Sequence, residues 1–188
     1  MSIVLDLVPF FVFFVLMRSV SPVAGLSGAL VASVLLCLRT RRLGKAAKVL
    51  ELGSLILFGL LVGYTLIAMP HWTVARVRLA VDSGLLAIAL VSLAIDRPFT
   101  LQYARERVPE ALWATPVFLT TNRIITAVWA GAFAVHVAAD AAAEYVPAIP
   151  LTIDIAASIA AFLGAVWFTR WYPARVQRRF LGAAGAVA

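Results

Sequence analysis

Residues 23–69 read VAGLSGALVASVLLCLRTRRLGKAAKVLELGSLILFGLLVGYTLIAM, an apolar run over 23–38, a basic stretch over 39–48 and a second apolar run over 52–69. A bilayer core about 30 Å thick takes about 20 helical residues. With a few flanking residues each run reaches the length of a helical membrane span, and the basic stretch Arg39-Thr40-Arg41-Arg42-Leu43-Gly44-Lys45-Ala46-Ala47-Lys48 is the loop that joins them on one side. The remainder of the chain has the same character. Of its 188 residues, 63% are hydrophobic and 13% charged, and the mean hydropathy is +0.99. Soluble domains run at about 45–50% apolar and about 25% charged, so this is the balance of a membrane protein. No stretch remains for a sizeable soluble domain or an appended catalytic module. The single cysteine, Cys37, cannot form an internal disulfide, and there is no CxxC or His/Cys metal spacing, so neither a metal nor a cofactor is expected.

Further apolar runs cover 3–17, which contains Asp6 and Pro9, and 77–95, which carries Asp82 and stops at Asp96-Arg97-Pro98. A fifth begins near Pro116 or Asn122 and continues to about residue 139, and a sixth opens at Pro150 and ends around Arg170-Trp171-Tyr172-Pro173. Proline in the first helical turn costs nothing, because that N–H has no intrahelical partner, and Pro116 and Pro150 fit this role. The expected fold is one all-α domain over 1–188, a polytopic transmembrane bundle of about six helices. The first run lacks a basic leader and a small-x-small cleavage site, so it does not read as a removed signal peptide. Its fifteen residues reach only about 22 Å as helix, which leaves two readings, a thin span or a re-entrant half-helix.

Segment 98–114 alternates Phe99, Leu101, Tyr103 and Trp113 with Gln102, Arg105, Glu106, Arg107 and Glu110. It reads as a short amphipathic helix on the membrane surface, broken at Pro109, or as an ordered linker. Residues 171–188 read as a basic tail. Trp72, Trp113, Trp171 and Tyr172 fall at run ends, where amphipathic rings favour the headgroup region.

Sixteen Lys and Arg oppose nine Asp and Glu, a net charge of +7. If every run spans, thirteen of the sixteen fall on one side, in segments 39–48, 97–123 and 170–188, and only Arg18, Arg76 and Arg78 on the other. The positive-inside rule then places the basic segments and the C-terminus in the cytoplasm, with the N-terminus depending on the first run. A charge excess that orients a membrane protein does not call for a nucleic-acid partner. Membrane lipids are the expected neighbours, and Arg97, Arg105 and Arg107 are candidate contacts for a lipid or a protein partner.

Small residues recur at helical spacing: Gly59 and Gly63, then Ala130, Ala134, Ala138 and Ala142, then Ala157, Ala161 and Ala165. Such stripes let helix backbones approach closely in lipid. They serve either packing within one bundle or a homodimer face.

Ionisable groups inside apolar helices are expensive and point to function by default. Arg78, Asp82, His136, Asp140 and Asp154 all lie toward the outer ends of their runs. Arg78 and Asp82 are four apart, as are His136 and Asp140, so each pair shares a helix face. Two readings follow: an outward-facing polar cavity for a proton, cation or small polar ligand, or interfacial charges satisfied by water and headgroups. Asp6 anchors the first helix or occupies a polar pocket. No GxSxG, HExxH or P-loop is present, so no catalytic residue is assigned.

Leu5-Asp6-Leu7-Val8-Pro9-Phe10-Phe11-Val12-Phe13-Phe14 resembles the opening of the bacterial intracellular septation protein A family. Asp96-Arg97-Pro98-Phe99 resembles the turn after that family's fourth run, and Pro116, Phe118, Asn122 and Trp129 look like a diverged form of its Pro-x-Trp…Asn…Trp region. The resemblance implies a multi-pass bacterial inner-membrane protein that supports envelope integrity, cell elongation and septation. It would act by contacting division or envelope-synthesis proteins rather than by catalysis. The competing expectation is a small transporter or channel using the outward charged residues.

Overall fold

The computed structural model describes residues 3–146 and 151–185. All of its regular elements are helical: α1 (Ile3–Asp6), α2 (Val8–Ser19), α3 (Pro22–Arg42), α4 (Val49–Ala68), α5 (Val74–Ala94), α6 (Phe99–Arg105), a 3-10 turn (Glu110–Leu112), α7 (Pro116–Tyr145) and α8 (Leu151–Gly185). The boundaries have local causes. Pro9 has no N–H and its ring crowds the carbonyl four residues back, so the first run breaks at Leu7 into α1 and α2. Side-chain oxygens of Ser21, Thr73 and Thr115 accept the Ala24, Arg76 and Phe118 N–H groups and start α3, α5 and α7. Pro22 and Pro116 sit in first turns. The expectation for Pro150 falls outside the described residues.

Short connections make sequence neighbours spatial neighbours, so α2 packs on α3, α3 on α4, α4 on α5, α5 on α7 and α7 on α8. The basic stretches consequently share one end of the bundle. Lys48 Nζ is 2.8 Å from a Glu106 carboxylate oxygen, and the Val49 N–H donates to Gln102 Oε1 at 2.7 Å. Helix α8 runs antiparallel to α7, because Trp129 donates to Thr169 while His136 meets Ser158. Its C-terminal turns therefore return to the same basic end.

Five helices are long and apolar enough to cross a membrane: α3, α4, α5, α7 and the Thr152–Arg178 part of α8. Their outward faces carry aliphatic stripes, Leu52, Ile56 and Leu60 on α4 and Ile155, Ile159, Leu163 and Trp167 on α8. Continuous exposed stripes of this kind suit acyl chains and not water. The chain is a multi-pass integral membrane protein. Helix α2 has twelve residues, about 18 Å, short of a full crossing. Yet Asp6 lies 3.5 Å from Lys48 at the basic end, and Ser19 lies at the turn into α3 at the far end. Residues 3–19 thus traverse the bundle, the arrangement of a thin span and not of a re-entrant half-helix.

Helix α5 is the hub. Val77, Val81, Leu85 and Ala89, one turn apart, are all buried. The first two close a core with Phe13, Met17, Leu26, Ala29 and Phe58. The last two close a second core with Leu50, Ile125, Trp129, Phe133 and Ala165.

The structure adds detail to three expectations. Segment 98–114 is buried only at its start, and Arg105, Glu106, Arg107, Glu110 and Leu112 are exposed. Phe99, Thr100 and Leu101 are buried, the Thr100 and Thr126 hydroxyls are 2.7 Å apart, and α6 ends at Arg105, ahead of Pro109. The segment plugs the basic end because its apolar side meets α7. The segment expected as a basic tail is helical over residues 171–185, continuing α8 through Pro173, which removes one backbone rung without ending the helix. The small-residue stripes are used unevenly. Ala161 and Ala165 pack in the core, but Ala134 and Ala138 are exposed and a Cβ on Gly63 would meet nothing within 4 Å. A close approach to backbone is found instead at Gly25, where a Cβ would sit 2.9 Å from both the Phe13 carbonyl oxygen and Met17 Cβ.

Gly25→Ala must push α2 off α3, and we expect it to destabilise the protein by about 1–3 kcal/mol. Gly63→Ala should stay within about 0.5 kcal/mol of the wild type. Thermal unfolding in detergent distinguishes the two.

Candidate functional site: two buried charge clusters

The five outward ionisable residues converge. Arg78 on α5 reaches across to α8, where its guanidinium donates to both oxygens of Asp154 at 2.8 and 3.3 Å. The same group lies 2.8 Å from an Asp140 oxygen on α7. Asp140 and Asp154 are almost wholly buried, at 0% and 2% exposure. One helical turn deeper, Asp82 on α5 lies 3.8 Å from His136 Nδ1 on α7. His136 Nε2 is 3.0 Å from the Ser158 carbonyl oxygen on α8. A carbonyl only accepts, so Nε2 carries a hydrogen and Nδ1, facing Asp82, is the nitrogen free to take a second proton. Asp82 and Asp140 are also within electrostatic reach of each other. At the rim, Glu144 accepts from Thr73 and Arg76, both at 2.6 Å.

Helical spacing pairs Arg78 with Asp82 and His136 with Asp140; the structure pairs them across helices. Because α5 and α7 are antiparallel, position 78 faces 140 and position 82 faces 136. The cross-helix partners are nearer than those four residues along. The five residues thus form one ionic cluster across α5, α7 and α8, with Arg78, Asp82 and His136 still partly exposed. Three carboxylates meet one guanidinium and one imidazole.

A second cluster, at the basic end, joins residues that spacing alone does not connect. Lys48 Nζ lies between Asp6 and Glu106 and 4.2 Å above the Tyr103 ring. Glu51, one turn into α4, is 3% exposed and accepts the Lys48 N–H at 3.4 Å. Asp6, 1% exposed, completes no hydrogen bond with either oxygen among the described residues, and Glu51 Oε1 is likewise unpartnered. Burial, reinforced by the Asp6 carboxylate, pushes the Tyr103 phenol well above its ordinary range, so its hydroxyl keeps its proton. Burial alone would raise the Glu106 carboxyl, but its hydrogen bond and charge contact with Lys48 outweigh that and hold it below the usual carboxylate range. The one sign of this cluster in the sequence is acid inside or beside apolar runs, Asp6 and Glu51. Among the described residues, no group of three or more His, Cys, Asp or Glu is placed to hold a metal ion.

Arg97, Arg105 and Arg107 are all exposed at the basic end. The Arg105 guanidinium lies 5.3 Å from the Trp113 ring.

Lys48 is the ammonium on which the acids of the basic-end cluster depend, and Lys48→Met should cost about 3–5 kcal/mol in unfolding experiments. Glu106 has a depressed folded-state pKa, so its stabilising contribution is complete above the ordinary carboxylate value and is lost as pH falls through the depressed one. Glu106→Gln should therefore flatten the loss of thermal stability between about pH 6 and about pH 3. No family model, no curated protein and no solved structure matches the chain.

Proposed function

We propose that the protein is a small proton-translocating transporter or channel, with the Arg78, Asp82, His136, Asp140 and Asp154 cluster as its proton-binding centre. One observation carries this reading: inside an apolar bundle two carboxylates from two helices meet the Arg78 guanidinium, and a third, Asp82, faces His136 beside them. With His136 protonated the group is still one positive charge short, so electroneutrality calls for a further proton or cation. The facing carboxylates of Asp82 and Asp140 offer a place for it, since a shared proton turns their repulsion into a hydrogen bond. Protonation is also coupled to shape. Helix α8 packs chiefly on α7, and the Arg78–Asp154 fork is its tie to α5. A proton that redistributes Arg78 between Asp140 and Asp154 would tighten or loosen that tie. The second acid-rich cluster, around Asp6 and Glu51, gives a proton a receiving site at the basic end.

In proteoliposomes carrying an internal pH dye, the wild type should dissipate an imposed proton gradient faster than protein-free vesicles. Asp82→Asn and His136→Gln should each reduce that rate by about tenfold or more, in keeping with the loss of a positioned proton carrier. Both should retain the wild-type elution profile and helical content. Wild-type flux equal to that of empty vesicles, or variants that conduct normally, would overturn the reading.

A second reading follows the resemblance over residues 5–14. It makes the chain a non-enzymatic envelope-integrity and septation protein of the bacterial inner membrane, with a cytoplasmic C-terminus and contacts to division or envelope-synthesis proteins. Two observations favour it. Asp6 and Pro9, which carry the resemblance, are both buried in the bundle, and Arg97, Arg105 and Arg107 stand exposed together at one end. Its test is in-cell crosslinking: replacing these three arginines with glutamine should abolish crosslinks to division proteins while Asp82→Asn leaves them intact. Reporter fusions after Lys48 and Glu144 test the orientation, with Lys48 expected on the cytoplasmic side.

A further inference from the structure

At the basic end, the last turn of α5, the plug helix α6 and the first turns of α7 enclose a cleft of about 410 Å³, within the range of small-molecule sites. Its charged lining is Arg97, Arg105 and Arg123 against one carboxylate, Asp96. Arg123 is paired with Asp96. Arg97 and Arg105 have no ion-pair partner among the described residues, and Arg105 is steadied instead by the Trp113 ring. Gln102 also lines the cleft, and its Oε1 is engaged by the Val49 N–H, which leaves its amide NH₂ as a donor. The recess thus presents donors and a surplus of two positive charges, a chemistry that selects phosphate. The apolar lining, Leu101 and Leu119, makes one wall greasy. Val91 and Ile95, exposed on the turn that leads to Asp96, continue an apolar path along the membrane-facing side of α5.

We infer that this cleft is a binding site for the phosphate headgroup of an anionic phospholipid, the phosphodiester held by Arg97 and Arg105 and the acyl chains lying against Leu119 and the outer face of α5. Its level fits this occupant. Arg97 lies three residues beyond the end of one span and Arg123 in the second turn of another, where headgroups sit. A free phosphate would use the guanidinium groups but gain nothing from the apolar wall. The inference is independent of the proton-binding centre at the other end of the bundle.

The test is native mass spectrometry of the full chain in detergent, titrated with phosphatidylglycerol and with phosphatidylcholine of the same acyl composition. Retained phosphatidylglycerol adducts should dominate. The double variant Arg97→Gln/Arg105→Gln should lose that preference by roughly tenfold or more, since each basic residue near anionic lipid contributes about fivefold. Arg175→Gln/Arg178→Gln removes equal charge from the same end and should keep the preference. Arg97→Lys/Arg105→Lys, which retains charge but not the planar fork, should fall between. Equal loss in the two glutamine variants, or no headgroup preference in the wild type, would overturn the inference. So would displacement of the lipid adducts by millimolar inorganic phosphate, which would assign the cleft to the free ion.

Discussion

A guanidinium in apolar surroundings cannot be left with water as its partner, and in this bundle Arg78 meets that demand with carboxylates from two other helices. Helices in lipid gain little from apolar burial against one another, since acyl chains are as apolar as leucine, so polar ties and close packing set their arrangement. The Arg78 fork on Asp154 and its contact with Asp140 therefore determine how α5, α7 and α8 sit together at the far end. Removing one partner would leave an uncompensated charge, a more severe loss than removing the whole set. The stripe of Val77, Val81, Leu85 and Ala89 completes the constraint by holding the helix that carries Arg78 between the two cores.

The spans were legible because bilayer thickness imposes a length on an apolar run that no other environment requires, as 23–38 and 52–69 show. The residues of the far-end cluster were legible for a related reason: aspartate, arginine and histidine inside such runs must find water, headgroups or one another. Their partners were not. Which residue of α7 faces Arg78 depends on interhelical register, which is set by how Val77, Val81 and Phe133 pack and leaves no trace in spacing along one helix. The basic-end cluster was hidden for a different reason. Asp6, Lys48 and Tyr103 belong to three separate segments, and each alone reads as an interfacial residue.

Proline and glycine were similarly ambiguous. Pro9 breaks its helix near the start, and Pro173 lies inside a continuous one. The difference is in the neighbours: Phe168, Trp171 and Tyr172 stack around the second site and stiffen it. Of the glycines, Gly59 and Gly63 have the motif spacing, but Gly25 has the neighbour. Motif spacing records that close approach is permitted, and only the partner helix decides whether it happens.

The length of α8 has a mechanical consequence. Its 35 residues extend about 52 Å as helix, some 20 Å more than a hydrocarbon core is thick. The surplus lies at the basic end, where the helix runs on past Pro173 as an arm. A small rotation of α8 about its contact with α7 would be magnified at the arm's tip. Whatever changes the grip of Arg78 on Asp154 on one face of the membrane would thus be displayed, as displacement, on the other.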